Sequence, residues 1–224
     1  MKFVLMHPSR GRPQQALVTI KRTIATATGK HDIEYLLGLD EDDPKYSEYQ
    51  WFYKQAAPEL KQVRLVTQKT GGPVSIFNLM AKSATGDLYI TATDSIGYPQ
   101  KWDELFAELL TAHAGKPAVI NVDDGDKRAH YWCNLFIFTP QYLALRDTAM
   151  PTGYHGYYAD VDCYDEAVLR KVIVPAKHIK FTFDHYLNNG SFVRDGTYER
   201  GESRIPQDRA FYNARKALNF GVKE

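Results

Sequence analysis

In the amino-terminal half of the chain, short apolar runs alternate with amphipathic stretches, and this restricts the fold more than any other feature. Lys2 to Met6 reads as a strand, and Pro8-Ser9-Arg10-Gly11-Arg12-Pro13 as a loop feeding a helix with Pro13 in its first turn. Leu17, Ile20, Ile24 and Ala27 then recur at helical spacing until Gly29. A second strand is expected from Ile33 to Leu39, a helix from Glu48 to Ala57, a third strand from Val63 to Val66 and a helix from Val74 to Ala84. The β-branched and aromatic run Gly86 to Ser95 supplies a fourth strand. This order produces right-handed crossovers and a parallel sheet with helices on its faces.

The carboxyl-terminal half breaks the pattern. A helix from Trp102 to Ala114 and a strand from Ala118 to Val122 continue it, but Tyr131 to Thr139, Lys171 to Val174 and Ile179 to Phe183 read as further strands around a short helix, Val161 to Arg170. The expected fold class is α/β, with a mostly parallel central sheet, flanking helices and antiparallel additions in this half. Residues 1–187 are expected to form one domain. Residues 188–224 are expected to add a flexible polar loop, a candidate lid from Asn188 to Pro206, and a terminal helix from about Gln207 to Asn219 packed on the same domain.

With 224 residues, 44% of them hydrophobic and 25% charged, the chain can bury one substantial core. A formal net charge of +1 gives no global field that would draw in a polyanion. The apolar run Phe3 to Met6 is interrupted by His7-Pro8 and is too short for a signal peptide or a membrane span, so a cytoplasmic protein is expected. Cys133 and Cys163 lack metal or redox spacing and read as buried thiols.

The fourth strand ends on an isolated carboxylate, Asp94, beside Thr93. In open parallel sheets ligands bind outside the carboxyl ends of the strands, where a carboxylate can hold a divalent cation against a phosphate; equally, Asp-Ser-Ile-Gly is ordinary turn chemistry. Ser9, Arg10 and Arg12 after the first strand could meet a base, ribose or diphosphate, or form an exposed basic loop. Asp40 to Asp43 close the second strand, where one carboxylate could accept from a base or sugar hydroxyl, or cap the next helix. Asn78 and Lys82 share one helix face, either toward the Asp94 crevice or toward solvent. Asp160 and Asp162 sit in an aromatic neighbourhood with Tyr154 and His155. One of them could serve as a general base, or both could cap a helix. His185 ends a strand and could complete an oxygen-rich metal site or be structural. Zinc spacing, a Ser-His-Asp order, G-x-G-x-x-G and the P-loop motif are all absent from the sequence.

Taken in order, these pieces resemble the GT-A-fold glycosyltransferases, particularly the family 2-like enzymes that use nucleotide-diphosphate sugars. The resemblance runs over roughly residues 1–186. Pro8-Ser9-Arg10-Gly11-Arg12-Pro13 looks like the family's nucleotide-binding loop, and Leu39-Asp40 like its base-contacting acidic position. Asn78, Ala81, Ala84, Gly86 and Asp87 look like the lead into its metal motif. Thr93-Asp94-Ser95-Ile96 stands where the family carries an Asp-x-Asp element, although Ser95 replaces the second acidic residue. Ala159-Asp160-Val161-Asp162 resembles the Glu-Asp block, with Ala159 in place of the Glu. The resemblance implies Mn2+ or Mg2+ on Asp94 and His185, and donor contacts from Pro8, Ser9, Arg10, Arg12, Asp40, Asn78, Lys82 and Thr93. It further implies Asp160, or failing it Asp162, as the base of an inverting transfer, with a UDP-sugar as the expected donor. A sugar nucleotidyltransferase and a non-catalytic sugar- or nucleotide-binding module are the alternatives. A nucleic-acid acceptor is suggested only by Arg194, Arg200, Arg204, Arg209 and Arg215.

Overall fold

The computed structural model describes residues 1–56, 60–126, 131–184 and 194–222. In chain order these form β1 (Lys2–Pro8), α1 (Pro13–Ala25), β2 (Asp32–Asp40), α2 (Tyr46–Ala56), β3 (Val63–Gln68), α3 (Gly72–Ser83), β4 (Leu88–Thr91), β5 (Ile96–Gly97), α4 (Trp102–Ala112), β6 (Val119–Asp123), β7 (Ile137–Phe138), α5 (Pro140–Leu143), α6 (Ala159–Leu169), β8 (Ile173–Lys180), β9 (Thr182–Phe183), α7 (Gly196–Glu202) and α8 (Ile205–Ala217).

One sheet has the order β3-β2-β1-β4-β7-β6-β8, and β5 pairs with β9 in a separate two-stranded sheet. The strand–helix alternation of the first half becomes a parallel block from β3 through β4. Strand β7 runs antiparallel to both β4 and β6. Because the sheet is covered on both faces, alternate residues of one strand enter two cores. Phe3 and Leu5 pack with Tyr35, Leu37, Trp102 and Phe106, while Val4 and Met6 pack with Leu36, Phe77, Met80, Cys163 and Ala167. Each such side chain contributes roughly 1.5–3 kcal/mol on burial. Gly38 lets α3 approach β2 closely: a Cβ there would lie 2.7 Å from Ile76 Cγ1.

Two segments differ from the expected strands. Most of Tyr131 to Thr139 is not strand, because the backbone N–H of Asn134 donates to the Asp124 carboxylate rather than to a ladder; Ile137–Phe138 alone pairs. The run from Lys171 and the run ending at Phe183 are joined through Pro175 into β8, paired parallel to β6, followed by β9. Proline is tolerated there because β8 is the edge of the sheet. Within the stretch expected to be loop, α7 forms with Asp195 as its cap, accepting from the N–H of Thr197 and Tyr198. Helix α8 starts at Ile205, with Pro206 in its first turn. It packs on α6 through Val74, Tyr154, Ala159, Tyr212 and Phe220. Among the described residues no helix is long and apolar enough to cross a membrane.

Candidate active site

Strands β1 and β4 are neighbours, so the loops leaving their carboxyl ends meet. Ala92 N–H still donates to Met6 C=O, after which Asp94 emerges at the strand end with its side chain 7% exposed. Its Oδ1 accepts from His7 Nε2 at 2.9 Å and from Ser9 Oγ at 2.7 Å. Tyr35 Oη lies 2.8 Å from His7 Nδ1, and burial holds the Tyr35 phenol well above its ordinary pKa. His7 is thus held at both ring nitrogens, Nδ1 by the Tyr35 hydroxyl and Nε2 by the Asp94 carboxylate. Tyr49 O–H donates to Ser9 Oγ at 2.7 Å and accepts from Arg12 N–H at 2.8 Å. Thr19 Oγ1 donates to the Asp94 carbonyl. These bonds fix the loop Ser9–Arg12 against Asp94. Pro8 ends β1 and directs the loop, and Thr93 pairs with the Ser95 hydroxyl at 3.3 Å.

Arg12 is the most confined cation of this loop, its side chain 9% exposed. Its Nη1 lies 4.0 Å from Asp94 Oδ2, and its Nε and Nη2 donate to the two oxygens of Asp195 at 2.8 and 2.7 Å. The guanidinium stacks on Tyr198, 4.2 Å from the ring centre. The hydrogen bonds from Arg12 hold the Asp195 carboxyl below its usual range. Arg10 donates to Asp42, and Thr197 Oγ1 donates to the Arg10 carbonyl. Helix α7 thus lies across the Arg10–Arg12 loop.

The second-strand carboxylates divide their tasks. Asp40 is buried, accepting from Gln68 Nε2 at 2.7 Å and Gly72 N–H at 3.0 Å, with Arg10 at 3.4 Å. It ties β1, β3 and the start of α3 together at the rim of the crevice. Asp43 caps the turn before α2, accepting from Lys45 N–H, and also from Gly11 N–H.

The expected polar pair on α3 does not face the crevice. Asn78 exchanges both amide bonds with the backbone of Met150, each at 2.8 Å. Lys82 lies a turn further on, toward the amino ends of the strands, in a shallow groove of about 240 Å³ lined by Lys2, Glu34, Lys82 and Ser83. The physical reason is direction: α3 runs antiparallel to the strands, so each turn carries its residues away from their carboxyl ends.

The two carboxylates of α6 also separate. Asp162 is fully buried, accepting from Arg215 Nε at 2.6 Å, Arg215 Nη2 at 3.0 Å and Tyr154 O–H at 2.6 Å. Saturated in this way, it is structural and unavailable to an acceptor. Asp160 sits half-buried in the first turn of α6. The loop before it is anchored by Asp208 of α8, a buried carboxylate accepting from the N–H groups of His155, Gly156 and Tyr157 and paired with His155 Nδ1. This loop rests against α3, where a Cβ on Gly72 would lie 3.7 Å from the His155 carbonyl. A Cβ on Gly201 would lie 3.0 Å from Tyr157. Helix α7 therefore spans the crevice, touching the Arg10–Arg12 loop at one end and the Tyr157 loop at the other.

The described residues do not fit a divalent cation at Asp94. One of its oxygens already accepts two hydrogen bonds, the other faces a guanidinium, and Ser95 offers no second carboxylate. Among the described residues no three His, Cys, Asp or Glu side chains converge. His185, the other expected ligand, lies outside the described residues; Asp184 N–H donates to the Ser95 carbonyl. Of the basic residues that suggested a nucleic-acid acceptor, Arg194, Arg200, Arg204 and Arg209 are exposed and Arg215 is half-buried. Arg194 pairs with Glu199 and Glu202, Arg209 donates to Tyr158, and Arg215 is held by Asp162.

His7, Tyr35 and Tyr49 escaped the sequence reading, as did Asp208, Asp195 and the pairing of Arg215 with Asp162. For His7 the signal was present: a polar residue ending a buried apolar strand next to the Asp94 strand. The contacts of Tyr35 and Tyr49 span 28 to 40 residues of sequence, and those of Asp208 with the His155–Tyr157 loop, Asp195 with Arg12 and Arg215 with Asp162 span more than 50.

Solved structures share this fold. Staphylococcus aureus TarS 1–349 in complex with UDP-GlcNAc matches with a TM-score of 0.63 at 14% identity, covering 92% of this chain and 65% of that one. The mannosyltransferase PcManGT from Pyrobaculum calidifontis, in complex with GDP-Man and Mn2+, matches with a TM-score of 0.69 at 13% identity, covering 96% and 64%. The chain has a GT-A-like fold. It spans between 36% and 65% of the length of the TarS chains and 64% of the mannosyltransferase. No family model matches the sequence, and no curated protein matches it.

Proposed function

We propose that this chain is a glycosyltransferase that moves a sugar from a nucleoside diphosphate sugar to an acceptor hydroxyl, with Asp160 as general base. The observation that carries the reading is the crevice itself. Loop Ser9–Arg12, with its cations, and the loop leading into the first turn of α6, which carries Asp160, are bridged by α7 at the rim of a GT-A-like sheet. One of the similar structures is a complex with UDP-GlcNAc and the other with GDP-Man, which supports a sugar-nucleotide donor; a UDP-sugar is our expectation.

In this reading the acceptor oxygen attacks the anomeric carbon as the bond from that carbon to the β-phosphate oxygen breaks. The proton passes to Asp160 and the nucleoside diphosphate leaves with the bonding pair, inverting the centre. Asp94 orders the donor loop through His7 and Ser9. Mn2+ or Mg2+ would neutralise leaving-group charge if bound, but the described donors do not fit one, and no step here is routed through it.

The experiment is transfer by wild type and D160N, screened over UDP- and GDP-sugars with mixed hydroxyl acceptors, read as released nucleoside diphosphate and glycosylated product. Wild type should release nucleoside diphosphate in step with product. D160N should lose transfer by about 100-fold or more while donor binding persists, the scale of a lost general base. Near-normal turnover by D160N would reject the base, and release of pyrophosphate from a nucleoside triphosphate would replace the reading with nucleotidyl transfer.

A further inference from the structure

In the crevice a carboxylate of the chain's own is paired with the most confined cation of the Ser9–Arg12 loop. Arg12 is nearly enclosed, and it presents the two-pronged edge of its guanidinium, Nε and Nη2, to both oxygens of Asp195. That edge is the one suited to two oxygens of a phosphate as well as to a carboxylate. Asp195, by contrast, is 39% exposed and arrives from the far end of the sequence at the head of α7. The two partners differ in permanence. Arg12 is fixed from outside α7, by its own N–H on Tyr49 and by the Asp94 carboxylate 4.0 Å away. Asp195 is held by Arg12 and by its cap bonds to Thr197 and Tyr198. The same loop lies at the carboxyl ends of β1 and β4, where the proposed donor would lay its diphosphate, and the described donor set at Asp94 offers no cation site to meet that charge.

We infer that Arg12 is the diphosphate-binding group of this site and that the Asp195 carboxylate occupies the phosphate position until a nucleoside diphosphate displaces it. The inference rests on the donor reading above. It makes Asp195 an internal competitor: binding breaks one bidentate ion pair and forms another, and α7 is released from the Arg10–Arg12 loop in the exchange. Selectivity follows, since an uncharged nucleoside has nothing with which to displace Asp195.

The test is calorimetric titration of UDP, inorganic pyrophosphate and uridine into the full chain, with EDTA present, for wild type, D195N, R12K and the double variant. Asparagine keeps the cap of α7 while removing the competing charge, and lysine keeps charge at position 12 while removing the fork. D195N should bind UDP and pyrophosphate about fivefold more tightly, the order of a well-formed, partly exposed ion pair, with no gain for uridine. R12K should bind both phosphates more weakly than wild type, and D195N should give no gain in its background. Unchanged or weaker phosphate binding by D195N, an equal gain for uridine, or an R12K variant that binds and responds like wild type would each overturn the inference. Failure of sugar transfer with this pattern intact would refute the transferase reading alone; transfer without the pattern would refute this inference alone.

Discussion

Replacing Arg215 by Met tests the structural carboxylate of α6, Asp162, apart from the proposed base, Asp160. Asp162 is fully buried and Arg215 is its only cationic hydrogen-bond partner among the described residues, donating at 2.6 and 3.0 Å from a side chain 24% exposed. Methionine keeps the apolar stem and removes both donors, leaving one hydrogen bond from Tyr154 to a buried charge. Removing one partner of a buried pair costs about 3–5 kcal/mol. The remaining Tyr154 bond and the partial exposure of Arg215 bring the expected loss to about 2–3 kcal/mol. For a chain of this size that lowers Tm by roughly 4–12 °C. Urea unfolding and differential scanning calorimetry of wild type, R215M, D162N and R215M/D162N measure it. The double variant should be more stable than R215M, because its buried group is neutral. A loss under about 0.5 kcal/mol in R215M, the range of an ordinary surface change, or a double variant no better than R215M, would refute the buried-charge argument.

Two further outcomes follow from side-chain placement. K82A should leave donor KM within about twofold of wild type, the effect of an exposed charge remote from the site, as measured by initial rates; a rise of about tenfold would put the donor in the Lys2–Lys82 groove instead. Burial pushes the Cys133 and Cys163 thiols up to about 12, so native protein at about pH 8 should take up no iodoacetamide over an hour by mass spectrometry, whereas rapid labelling would show them accessible.

The parallel half of the fold was legible because its signals are local. Pro13 opens α1, the apolar periods of α1 and α4 mark their buried faces, and β1, β2 and β4 are unbroken apolar runs covered on both sides. The second half obeys longer-range rules. Pro175 reads as a break until the strand carrying it is known to lie at an edge, and Asn134 leaves the ladder for Asp124, a partner ten residues back. The site shows the same division. Ser9, Arg12 and Asp94 could be gathered from the rule that loops at strand ends converge, and the structure brings them together. Asp160 and Asp162, two apart, could not be ranked from sequence, since the buried partner of one, Arg215, is 53 residues away. Lys82 was misplaced because helical periodicity gives the face of a residue but not its distance along the sheet.

The claim that a nucleoside diphosphate lies at the carboxyl ends of β1 and β4 is tested most directly by a crystal structure of the chain soaked with UDP. The account predicts density for the diphosphate between the Ser9–Arg12 loop and Asp94, within hydrogen-bond reach of the Arg12 guanidinium. UDP bound elsewhere, with the Arg12–Asp195 pair intact, would contradict it.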